Sequence, residues 1–131
     1  MWNGQFSHDR ALAMAVSILR KTQTQSEAIQ QSFQRSFGRA ATKQELQQVL
    51  AHWRRMSQFH ANKKPKKQKY PKEVVRQAVE EMNGKPFTFA ETLDYDTFVP
   101  DLKPWQVDAN TRAFADICHV LLNTNEFLFV R

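Results

Sequence analysis

The segment Thr111-Arg-Ala-Phe-Ala-Asp-Ile-Cys-His-Val-Leu-Leu-Asn123 decides how the rest of this chain is read. Phe114, Ile117, Cys118, Leu121 and Leu122 recur at three- and four-residue steps, which puts them on one side of a helix of period 3.6. Asp108 or Thr111 is placed to cap that helix. After Asn123-Thr124-Asn125 the chain offers four consecutive apolar residues, Phe127 to Val130. That run predicts a terminus docked into the core. Burying a Phe or Leu side chain contributes roughly 1.5–3 kcal/mol, a large share of the about 5–15 kcal/mol by which a small domain is stable.

Working outward, residues 4–21 read as a first helix. Leu12, Ala15, Val16 and Leu19 form a stripe, and Ala11, Ala13, Met14 and Ile18 carry apolar surface round most of the cylinder. A helix of that kind is central in a core or covered by a partner. Ser26 is placed to cap a second helix with Ile29, Phe33 and Phe37 on its inner side and Gly38 as a left-handed stop. Thr42-Lys-Gln-Glu45 is a capping box opening a third helix, with Leu46, Val49, Leu50, Trp53 and Met56 facing inward as far as about Phe59.

Beyond it lies a lysine-rich loop, His60 to Lys72. Pro71 suits the first position of a fourth helix, with Val74, Val75, Ala78, Val79 and Met82 as its apolar side and Asn83-Gly84 as its end. From Lys85 to Asp108 the sequence predicts an irregular aromatic strap, in which Phe87, Phe89, Leu93, Phe98, Leu102 and Trp105 wrap the helices. The fold expected is therefore all-α: about five helices in one compact domain over residues 1–131, with the strap before the last.

Composition agrees with one globular domain of this length. The chain has 131 residues, 41% of them hydrophobic, and only three Gly. Cys118 is the single cysteine, so no disulfide forms within the chain. Met1 to Leu19 carries Gln5, Ser7, His8, Asp9 and Arg10, which breaks the pattern of a secretory signal, and no apolar run reaches the roughly 20 residues of a spanning helix. The net charge of +6 is concentrated. Residues 63–73 hold six lysines and one acid, a net of +5, and the rest is nearly neutral.

That concentration makes Lys63, Lys64, Lys66, Lys67, Lys69 and Lys72, with Tyr70 among them, the candidate binding site for a polyanion, nucleic acid or acidic polysaccharide. The lysines would neutralise phosphates or acidic groups while Tyr70 stacks on a base. Metal and catalytic signals are absent. His52 and His60 are eight apart, where a zinc helix needs four. Cys118 and His119, like His8 and Asp9, are adjacent, and neighbours on a helix point about 100° apart. No phosphate-cradling glycine loop, no serine elbow and no cofactor motif occurs, so neither catalytic residues nor cofactors are assigned. An active site would need His8, Asp9 or Arg112 to converge in a polar cleft.

Several stretches together resemble the C-terminal region of a family of large, exported planctomycete-type proteins of unknown function, often associated with cytochrome c-like domains. They are Asn3-Gly-Gln-Phe6, Phe37-Gly-Arg-Ala-Ala-Thr42 with Glu45 and Leu46, Asp101-Leu-Lys-Pro-Trp105, Thr111-Arg-Ala-Phe-Ala-Asp116 and Val120-Leu-Leu-Asn-Thr-Asn-Glu-Phe127. The resemblance implies that this chain is the last segment of a longer exported or cell-envelope protein, whose upstream domains are its partners. It supplies no activity. The function expected is thus a non-enzymatic structural or interaction module, with polyanion binding and a share in an active site completed by the upstream segment as the alternatives.

Overall fold

The structure, a computed structural model, describes residues 4–67, 71–93 and 101–124. It divides into two compact units, Met1–Lys66 with Asp101–Arg131, and Lys67–Pro100. The first is helical and the second is a β-hairpin.

In the helical unit, α1 spans Gln5–Leu19, α2 Gln25–Phe37, α3 Lys43–Asn62 and α4 Ala109–Leu122, with a short 3-10 turn at Pro104–Gln106. Local chemistry sets each boundary. Thr24 and Glu27 form a reciprocal capping box at the start of α2, so the cap lies two residues before the expected Ser26. Gly38 closes α2 with φ of 70°, a left-handed conformation that costs glycine no Cβ clash. Thr42 and Glu45 form the expected box on α3, which runs on to Asn62. Asp108 caps α4, its Oδ1 accepting from the Thr111 amide at 2.8 Å.

The core lies where α4 packs on α1 and α3. Trp53, Phe114, Ile18, Ile29 and Cys118 are fully buried there, and Ala11, Ala15 and Ala113 let the helices approach closely. On α4 the expected face holds, with Phe114, Ile117, Cys118 and Leu121 all buried. On α1 the buried side is Ala11, Leu12, Ala15 and Ile18, and Met14 and Leu19 pack against its margins. Much of its apolar excess is therefore covered by this chain's own helices. Ala13 and Phe6 remain exposed. Phe127 to Val130, expected to dock in this core, lie outside the described residues.

The expectation of an all-α, five-helix chain is corrected by the second unit. Residues assigned to a fourth helix form β1, Glu73–Val79, and part of the expected strap forms β2, Pro86–Thr92. The strands pair antiparallel with Val75 opposite Ala90 and Ala78 opposite Phe87. The error has a physical source. Val74 with Ala78, and Val75 with Val79, are four residues apart, and that spacing returns to the same face in a helix and in a strand alike. Three valines favour the strand. Asn83-Gly84, taken as a helix stop, is the hairpin signal. Gly84 has φ of 69°, its amide donates to the Glu80 carbonyl, and Asn83 Oδ1 accepts from the Lys85 amide at 2.9 Å. Of the remaining strap residues, Leu102 packs on the helical core, Trp105 is half-buried, and Phe98 lies outside the described residues.

Candidate functional site

Two features of the helical unit place charged groups against apolar surface. The first is an ion pair that ties α1 to the chain before α4. Asp9, in the polar first half of α1, accepts from Gln5 Nε2 at 2.8 Å and from Lys103 Nζ at 2.9 Å. Both side chains of the pair are largely withdrawn from water, Asp9 at 8% exposure and Lys103 at 16%. Next to it Arg10 pairs with Asp101. Asp9 is thus committed to holding the segment that leads into the 3-10 turn.

The second is a cavity of about 110 Å³, bordered by His8 and Leu12 of α1, His60 of α3, and Arg112, Ala115 and Asp116 of α4. Arg112 and Asp116 share a face because they stand four apart on α4. His60 comes from the last turn of α3, and its Nε2 lies 2.6 Å from Asp116 Oδ2. An ionised carboxylate only accepts, so the hydrogen belongs to Nε2 and a neutral His60 keeps its lone pair on Nδ1.

Arg112 is held differently. Its Nη1 donates to the carbonyls of Pro104 and Val107, and its Nη2 to the His60 carbonyl at 3.1 Å. Its Nε is buried with no partner. Among the described residues no carboxylate forms an ion pair with it: Asp116 is engaged by His60, and Asp108 by the Thr111 amide. The Thr111 hydroxyl first and its amide second hold the Asp108 carboxyl below its usual range, with Arg112 adding to the effect.

His8 and Arg112, two of the three residues named for a shared cleft, therefore border one cavity, while Asp9 is turned to Lys103. His60, weighed in the sequence only as a metal ligand, and Asp116 join them without having been expected at this cleft. The four-residue step from Arg112 to Asp116 was the available signal, but nothing local announces that the end of α3 meets it.

The other chemical candidates resolve without a nucleophile. Cys118 is fully buried, and burial pushes its thiol up to about 12, which closes thiolate chemistry to it. His119 stacks on His8 with centroids 4.0 Å apart and lies 3.1 Å from Ser7 Oγ. Ser7 Oγ donates to the Gly4 carbonyl at 2.9 Å, so the hydrogen it shares with His119 comes from the imidazole. A serine activated by a histidine base needs the reverse. Among the described residues no group of three metal-ligating side chains converges, and no helix is long and apolar enough to cross a membrane.

Of the predicted polyanion residues, Lys63, Lys64, Lys66, Lys67 and Lys72 are exposed, and Lys69 and Tyr70 lie outside the described residues. Lys63 Nζ sits 5.6 Å from the centroid of the Phe59 ring. The described lysines border neither the cavity lined by His8 and Arg112 nor the one lined by Val49 and Val120.

The hairpin carries five of the exposed large apolar side chains, and Phe6, Phe59 and Val120 of the helical unit are exposed as well. Met82 is 93% exposed, Val75 71%, Val79 61%, Phe87 49% and Phe89 42%. The register puts Phe87 and Phe89 on one face with Val74 and Ala78, the two rings 6.0 Å apart, and Val75 and Val79 on the other.

No family model, curated protein or solved structure matches this chain.

Proposed function

We propose that this chain is a non-enzymatic interaction module, and that its hairpin docks on another part of a larger polypeptide. The observation that carries the reading is the exposed pair Phe87 and Phe89 on a sheet of two strands. Such a hairpin is marginally stable by itself, and here its aromatic face is open. Covering each Phe against a partner contributes roughly 1.5–3 kcal/mol before the cost of association. Each strand also has an edge unpaired among the described residues, which suits strand addition by the partner. The upstream domains implied by the family resemblance are the partner this reading names.

Light scattering on the chain alone and mixed with that upstream portion tests it. A monomer that forms a one-to-one complex supports the reading, provided Phe87→Ser with Phe89→Ser abolishes the complex and leaves the helical circular dichroism unchanged. A double variant that still binds overturns the hairpin as the contact, and no complex with the wild type overturns the module.

The exposure of the described lysines favours a second reading, attraction of a polyanion through Lys63 to Lys72. Its mark is heparin or single-stranded DNA binding that weakens steeply with salt and disappears when the six lysines become Gln. Binding that survives that change places the site elsewhere.

A further inference from the structure

We propose that the cavity between α1, the end of α3 and α4 is a binding site for a small carboxylate with a short apolar body. Arg112 supplies the reason for an anion. Its guanidinium is fixed by three backbone carbonyls, which orient it without neutralising its charge, and its buried Nε–H has no acceptor. A guanidinium only partly in contact with water, bordering the cavity and paired with no carboxylate among the described residues, is stabilised by an incoming anion. Because the carbonyls already hold the fork in place, little side-chain freedom is lost when the ligand arrives.

The other walls select among anions. Leu12, Ala11, Ala115 and Pro104 are apolar and border most of the space, so a fully hydrated phosphate or sulfate would forfeit water on those sides with nothing in return. A carboxylate with two or three methylene or methyl groups puts its charge at Arg112 and its body against these residues. The volume of about 110 Å³ is several times the roughly 10–15 Å³ that admits a single water. His60 and His8 add polar atoms at the rim. Asp116, the one acid on the wall, is turned to His60 at 2.6 Å, so the repulsion it would exert on a carboxylate is offset by its partner.

The test uses the full chain, butyrate and inorganic phosphate as probes, and two-dimensional amide and arginine side-chain NMR. Butyrate is expected to shift the Arg112 Nε–H and the amides around Ala115 saturably, with phosphate at least ten-fold weaker. Ala115→Leu fills the cavity while keeping every charge, and should weaken butyrate ten-fold or more without loss of fold. Arg112→Lys should also lose the ligand, with folding checked by the Trp53 and Phe114 resonances. The proposal is overturned if butyrate gives no saturable shift up to 50-fold molar excess, if Ala115→Leu binds as well as the wild type, or if phosphate binds as tightly as butyrate.

Discussion

Trp53 and Phe114 stack face to face at the centre of the helical unit, their ring centroids 4.2 Å apart and their planes 12° from parallel. Trp53 Nε1 also donates to the Asn110 carbonyl at 3.2 Å, so one side chain of α3 grips both the first turn and the middle of α4. Truncating either ring leaves a cavity that rigid helices fill only in part. Phe114→Ala is expected to cost about 3–5 kcal/mol, and Trp53→Phe about 1–3 kcal/mol, since the Asn110 carbonyl loses its donor. Urea denaturation followed by circular dichroism measures both. A change under about 1 kcal/mol for Phe114→Ala would show that the stack is not the core.

The capping box of α3 makes stability depend on acid. Arg39 binds Glu45 through two hydrogen bonds, at 2.8 and 3.0 Å, and the Thr42 amide donates to the same carboxylate at 2.7 Å. These partners, Arg39 foremost, lower the Glu45 carboxyl from 4.5 to about 2. A carboxyl depressed on folding stabilises the fold above its unfolded value and loses that contribution as pH falls through the folded one. Glu45→Ala should therefore cost about 1 kcal/mol at neutral pH, and the gap to the wild type should narrow between pH 4.5 and about 2. Thermal melts of both proteins across that range would contradict the assignment if the gap stayed constant.

Cys118 should be silent in the folded protein. Burial pushes its thiol up to about 12, so iodoacetamide at pH 8 is expected to leave it unmodified until denaturant is added. Mass spectrometry reads the adduct, and rapid labelling of the native chain would mean that the α4 core opens locally.

The hairpin should behave as a weaker unit than the helices. Its strands are exposed over nearly their whole length, so amides of β1 and β2 are expected to exchange with deuterium well before those of α1 and α4. Gly84→Ala, at φ of 69°, should speed that exchange further at a cost of about 1 kcal/mol. Protection in the hairpin equal to that of α4 would show that it is covered in solution.

Short-range chemistry made much of the helical unit readable in advance. Thr42 with Glu45, and Gly38, act through neighbours three or four residues away, so their roles as caps follow from the letters alone, and the letters narrow the cap of α4 to Asp108 or Thr111. Phe114, Ile117, Cys118 and Leu121 mark the buried side of α4 by spacing. At Val74, Val75, Ala78 and Val79 spacing was ambiguous, because four residues is a multiple of the strand period and close to one helical turn. What settles it is pairing with Pro86–Thr92, a contact between two segments.

The same division runs through the cavity. The sequence by itself determined where charge lies, which faces of the helices are apolar and how α3 begins, since propensity, periodicity and capping are local. Only the tertiary structure brought His60 beside Asp116, 56 residues away, and set Arg112 against three carbonyls from two segments. Such encounters depend on how α3 and α4 pack around Trp53 and Phe114, and packing is a property of the assembled core.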